Sequence, residues 1–293
     1  MRDLVSPRLD FLRANQNADG GWGYFPGRES RVESTVYALR ALAGEINPGT
    51  PAIRFLVSRQ DRSGGLAPCP SVPGATWVTQ LAFPLLRKAG VSNQVLEAAA
   101  DWIVSTQGAE DSFLQRILHT LGKAKADQNP RLKGWPWRPE NSSWVEPTAW
   151  GLIALGSMDG IGPPAAITYR RDLAVRMLLD RRCEDGGWNY GNKRVLGVVL
   201  PSYPETTAIG LIGLAAAGTN LAETLQPSIV RAEAGLNSFH GAYARALLAL
   251  ALRLHGRNPS YSPENASVHP SRNLMLTSLE ILALQARRED FLP

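Results

Sequence analysis

Three glutamates open apolar runs in this chain: Glu33 in VESTVYALRAL, Glu146 in WVEPTAWGLIAL and Glu205 in YPETTAIGLIGL. Around the second lie Trp135, Trp137, Trp144 and Trp150. A carboxyl group desolvated in an apolar cavity has its pKa raised and stays protonated near neutral pH. Aromatic faces beside it stabilise a cation. A neutral acid beside cation-stabilising rings is the chemistry such a set could offer, and Glu146 is the carboxyl nearest these rings in sequence. Trp150 follows Glu146 by one helical turn, on the same face. A structural reading stands beside this one, because a carboxylate in a helix first turn is favoured by the helix dipole. Pro147 fits such a first turn.

These residues belong to a repeat. FLRANQNADGGW from Phe11 returns as FLVSRQDRSGGL from Phe55 and MLLDRRCEDGGW from Met177. Each copy is followed by a linker and an apolar run, and self-similarity of this kind marks a repeat architecture. Within each unit the pattern predicts an outer helix, a turn and an inner helix. Gly20-Gly21 is expected to end the first outer helix, and the first inner helix to run from Glu33 to Leu42 and stop at Gly44. The second unit pairs 53–60 with 78–89. The third starts at 102–107, lacks the glycines and carries an extra helical stretch at 113–125. The fourth pairs 173–182 with 205–217, the fifth 229–236 with 240–255, and a last helix at 273–287 is placed to close a ring. TTAIGLIGLA, from Thr206, is apolar or small all round and so buried on every side. Amphipathic first helices and apolar second helices are what two concentric rings need. The fold class is all-α, an α/α toroid, with residues 1–293 forming a single domain of about five to six helical repeats. Tyr37, Phe83 and Trp150 follow Glu33, Thr79 and Glu146 by one turn and are expected to ring a central cavity at one level.

The motif Gln16-xxx-Gly20-Gly21-Trp22 resembles the QW motif of the squalene–hopene and oxidosqualene cyclases. The α/α toroid is shared with the β subunits of protein prenyltransferases, and the EPTAWGLIAL and ETTAIGLIGL helices are similar to inner helices of that superfamily. The resemblance implies structural roles for Gln16, Trp22, Gln60 and Trp188, which in the family tie each outer helix to its neighbour. It implies a terpenoid or polyprenyl ligand in a central apolar cavity, contacted by Glu33, Tyr37, Thr79, Phe83, Trp135, Trp137, Trp144, Trp150 and Glu205. Setting the Thr-Ala of the family's DxDD-T-A stretch on Thr148-Ala149 places Glu146 at the proton-donating Asp, with Trp144 and Pro147 where the neighbouring acids stand. Cyclisation or isomerisation through a cation is the implied reaction. Triterpene cyclases have two helical domains, so a second protein chain supplying the other domain is also implied. Two alternatives stay open: a non-catalytic lipid- or protein-binding toroid, and a glycan-active (α/α) barrel in which Glu33, Glu146 and Glu205 converge as paired carboxylates.

Composition narrows the partners. A net charge of +5 without a block of like charges does not indicate a nucleic-acid face. It leaves a weak attraction to anionic membrane surfaces open. The prenyltransferase zinc pattern and the CGEQ and DDxxD motifs do not occur, and Cys69, Cys183, His119, His255 and His269 lack metal-ligand spacing. No metal and no cofactor is expected. Two cysteines without a CxxC point to a reducing, cytoplasmic compartment. No signal-peptide-like start or membrane-length apolar run is read.

Overall fold

The computed structural model describes residues 4–44, 46–110, 128–217, 221–263 and 270–292. The expected stretch 113–125, with His119 and His269, lies outside them. Five helices form an outer layer: α1 (Ser6–Ala14), α3 (Pro51–Ser58), α5 (Asn93–Ser105), α7 (Pro164–Asp180) and α9 (Ala222–Ser238). Six form the inner ring: α2 (Val32–Leu42), α4 (Val78–Ala89), α6 (Val145–Gly156), α8 (Pro204–Ala215), α10 (Ala242–Leu254) and α11 (Leu274–Gln285). The inner helices pack in the order α2, α4, α6, α8, α10, α11, and α11 returns to α2. The chain is therefore an all-α, α/α toroid. A short α12 (Arg288–Phe291) follows the ring.

The inner helices bury nearly every side chain. In α8 all residues from Thr206 to Ala215 are buried, and Gly213 lies so close to Ala149 of α6 that a Cβ would come within 2.5 Å of its Cα. Small residues thus set the spacing between neighbouring inner helices. The ring closes through α1 against α11, where Arg8 and Glu280 pair at 2.8 Å. The helix read as unpaired from the sequence takes its outer partner from the first repeat.

One hydrogen-bond pattern recurs in four units. The backbone N–H at the end of the turn donates to a threonine of the inner helix: Trp22 to Thr35, Leu66 to Thr79, Trp135 to Thr148 and Trp188 to Thr207, at 2.8–3.1 Å. Indole N–H groups bind outer-helix carbonyls, Trp22 to Leu12, Trp135 to Ile103 and Trp188 to Leu178. Trp22 and Trp188 thus hold the helix of their own unit, whereas the Gln60 amide reaches the next outer helix at Val95.

The glycines act differently from expectation. α1 ends at Ala14, well before Gly20-Gly21. Gly20 and Gly64 sit at φ +89°, and a Cβ there would strike the backbone of Pro51 or Ala98 on the next outer helix. They are glycine because adjacent units touch at this point. α2 is likewise ended by Ala43 in the left-handed region rather than by Gly44. In the third unit, which lacks the glycines, Glu110 accepts the Ser143 N–H and pairs with buried Arg181 at 3.0 Å.

Outer helices α5, α7 and α9 start earlier than the apolar pattern indicates. The first turns of α7 carry exposed Tyr169, a half-buried Arg171 and little apolar periodicity to read. The loop before α8 holds an antiparallel hairpin, β1 (Arg194–Val195) and β2 (Val198–Val199). Leu196 and Gly197 both have positive φ at its turn, the geometry of a two-residue hairpin.

Candidate functional site

The recurring threonines fix the register of the ring. Glu33, Glu146 and Glu205 each stand two residues before such a threonine, in the first turn of α2, α6 and α8. On α4 the residue two before Thr79 is Trp77. Trp77 is therefore the counterpart of the glutamates, and the sequence reading that set Thr79 at their level is corrected. The Thr79 hydroxyl accepts from the Leu66 N–H and donates to the Thr76 carbonyl, and Phe83 is wholly buried one turn on. Both are framework. Aligning VEST, TWVT, VEPT and PETT on their last residue is the signal that would have found Trp77.

Glu33, Trp77, Trp144, Glu146, Glu205 and Tyr243 are all half-buried at this end of the ring, taken as its mouth. The Tyr24 hydroxyl donates to Glu33 at 2.6 Å. Burial raises the Glu33 pKa, while the Tyr24 hydrogen bond and Arg31 pull it down. Glu146 has less help. Burial pushes its carboxyl up to about 8, with the negative charge of Glu33 and then Glu205 acting the same way. Its neighbour is the Trp150 Nε1, a long contact at 3.5 Å that lowers the pKa. A carboxyl raised to about 8 is mainly protonated at neutral pH. Tyr243, on α10, also feels Glu146, Glu33 and Glu205, and burial raises its phenol strongly.

Aromatic rings flank the carboxylates. Trp77 and Trp137 meet edge to face at 4.9 Å, and the Trp77 N–H donates to the Trp137 carbonyl at 3.2 Å. On the other side Trp144 contacts Tyr190 at 6.2 Å, and Tyr190 contacts Tyr203 at 5.5 Å. Beneath the mouth Tyr37 and Trp150 meet edge to face at 6.0 Å, exposed by 0% and 1%. Phe291 packs against Trp150 from the far end at 6.2 Å. Trp135 is not at the mouth: it lies under Arg170, 4.1 Å from the guanidinium, and covers Gly151. Of the residues singled out in the sequence, the structure gathers Glu33, Trp137, Trp144, Glu146 and Glu205 at the mouth, sets Tyr37 and Trp150 beneath it and leaves Thr79, Phe83 and Trp135 in the framework. Tyr24, Trp77, Tyr190, Tyr203 and Tyr243 escaped the sequence reading as contributors. Among the described residues no group of three His, Cys, Asp or Glu could hold a metal ion.

No protein-family model matches the chain. A drimenyl diphosphate synthase of Streptantibioticus cattleyicolor is 26% identical over 239 residues, covering 78% of this chain and 40% of that protein. The chain thus spans about two fifths of the length of that curated relative. The type II terpene cyclase MstE from Scytonema superposes with a TM-score of 0.52 at 17% identity, over 98% of this chain and 79% of that one. The cellobiose 2-epimerase of Spirochaeta thermophila superposes at 0.56 with 11% identity, over 95% and 81%. The structural likenesses establish the fold, which terpene cyclases and sugar enzymes share. With the relative's sequence similarity they bear out the resemblance to the terpenoid cyclase-like superfamily.

Proposed function

We propose that this chain is a terpenoid cyclase-like protein that takes a linear polyisoprenoid at the mouth of its ring and that Glu146 starts the cyclisation. The observation that carries the reading is the Glu146 carboxyl, held mainly protonated at neutral pH by burial and by two neighbouring carboxylates, among aromatic faces. The carboxylic acid gives its proton to one end of a C=C bond. The π electrons become the new C–H bond, and the other carbon becomes a cation. A second C=C bond attacks that cation and forms a C–C bond. Loss of a proton, returned to a base, ends the sequence, so the product is an isomer of the substrate. Trp77, Trp137, Trp144 and Tyr190 offer π faces to the passing charge. The similarity to drimenyl diphosphate synthase supports a terpenoid substrate.

The repeats are proposed to act as one toroid domain over 1–293. The exposed hairpin residues Leu196 and Val198, at 73% and 62%, lie in the loop that carries Tyr190 and Tyr203 and suit a protein partner or a membrane surface. No helix among the described residues is long and apolar enough to cross a membrane.

A second reading, binding without catalysis, draws on Trp144 and Pro147, which stand beside Glu146 where further acids would assist it. One experiment separates the two. The protein and its Glu146→Gln variant are incubated with linear prenyl diphosphates and squalene, followed by product analysis and native mass spectrometry. Cyclic isomers from wild type alone support catalysis. Ligand retained unchanged by both proteins supports binding, and the absence of both product and retained ligand overturns the terpenoid reading.

A further inference from the structure

Arg40 lies near the end of α2, at the opposite end of the ring from Glu146. The residue is 9% exposed, and its guanidinium stands 4.4 Å from the centre of the Phe291 ring. Its Nη1 donates to the Phe291 carbonyl at 2.8 Å. Its Nε and Nη2 are buried and have no hydrogen-bond partner, and among the described residues no carboxylate pairs with it. Burial lowers its pKa to about 10, so it remains a cation at neutral pH. Two cavities, of about 260 and 230 Å³, flank Phe291, and Arg40 lines both. The larger also has Arg87, Lys88 and Ser157 in its wall, with Leu85 and Leu292. Glu289, the one acidic lining residue among those described, is engaged by Arg287 at 3.5 Å.

We propose that this larger cavity binds a phosphate-type oxyanion, with Arg40 at its inner wall and Arg87 and Lys88 at its rim. Nε and Nη2 form the side-on edge of a guanidinium, whose two parallel N–H groups match two oxygens of one phosphoryl group. Cations in a last helical turn also complement the helix dipole, which accounts for Arg87 and Lys88. It does not account for a buried guanidinium edge without an acceptor. Leu85 and Leu292 give the ligand an apolar flank, so a phosphoester with a hydrocarbon part fits better than a bare ion. The source is either a soluble phosphoester or a lipid headgroup.

Titration calorimetry with inorganic diphosphate at low ionic strength tests the site on wild type, Arg40→Lys and the rim variant Arg87→Ala/Lys88→Ala. Saturable binding by wild type is expected. Arg40→Lys keeps the charge but loses the fork, and a loss of about tenfold or more in affinity is expected for it. The rim variant alters exposed groups, melts like wild type and is expected to bind more weakly, so it decides the matter if Arg40→Lys does not fold. Flotation with vesicles containing phosphatidic acid, competed by diphosphate, assigns the source to a headgroup; binding of diphosphate without flotation assigns it to a soluble ligand. Absence of binding in both formats, or equal binding by wild type and both variants, overturns the proposal. The outcome is independent of the reaction proposed for Glu146, which these variants leave in place.

Discussion

Arg8 and Glu280, 272 residues apart, meet as a buried ion pair at 2.8 Å, with side chains exposed by 1% and 5%. The pair joins the first outer helix to the last inner helix and closes the ring. Breaking it from one side leaves an uncompensated charge in the interior. Arg8→Met or Glu280→Leu alone is expected to cost about 3–5 kcal/mol of unfolding free energy, and the double variant much less than the sum. Urea denaturation of the four proteins checks this. A pair of single variants that each cost under about 1 kcal/mol would show that the ring does not depend on this contact.

The repeated threonines predict a second cost. Thr148 is wholly buried and accepts the Trp135 N–H at 3.1 Å. Valine has nearly the same shape but accepts nothing, so Thr148→Val leaves a buried N–H unpaired at about 1–3 kcal/mol. Thr79→Val should behave alike through the Leu66 N–H, and Thr79→Ser should restore most of the stability. Turnover that responds to Thr79→Ser while stability does not would return Thr79 to the ligand-contacting set.

The toroid was legible because its signals are repeated and local. The GGW turns and helices apolar on every side, such as α8, need no long-range information. The site was legible only in part. Glu146 was found from its place at the head of a helix, but its raised pKa depends on Glu33 and Glu205, brought close by ring closure. Trp77 was missed because the units were aligned on the acidic position, which α4 fills with an indole. Tyr24 and Tyr243 lie outside the repeated motif. The fit of Tyr37 against Trp150, and of Phe291 beneath it, follows from helices facing one another across an axis, which no local pattern encodes.

Gly64 offers a test of why the turn glycines are glycine. Its φ is +89°, and a Cβ would lie 2.3 Å from the Ala98 carbonyl oxygen. Gly27 has φ +69° with nothing within 4 Å of that position. Gly27→Ala therefore carries only the conformational penalty, about 1–2 kcal/mol. Gly64→Ala adds overpacking of another 1–3 kcal/mol or so against backbone that cannot rotate away. Thermal melts of the two variants should rank them in that order, and equal melting temperatures would remove the case for a unit-to-unit contact at this glycine.

Glu146 makes stability depend on pH in a direction that can be worked out. Its pKa rises from an ordinary 4.5 to about 8 on folding. Between those values the folded chain keeps a proton that the unfolded chain has released. Stability from this group is therefore present below about pH 4.5 and is lost as pH rises to 8, by at most about 1.4 kcal/mol per pH unit. Glu33, also raised, acts in the same sense. His255, whose pKa is lowered by burial, acts in the opposite sense, its contribution being lost as pH falls below its ordinary 6.5. The comparison that isolates Glu146 is thus wild type against Glu146→Gln across the range. The two should be nearly equally stable at pH 4, with the variant increasingly the more stable toward pH 8. Any turnover by wild type should fall over the same upper limb as the acid ionises. A difference between the two proteins that stays constant from pH 4 to 8 would mean that Glu146 titrates normally, and the proton donor would have to be sought elsewhere at the mouth.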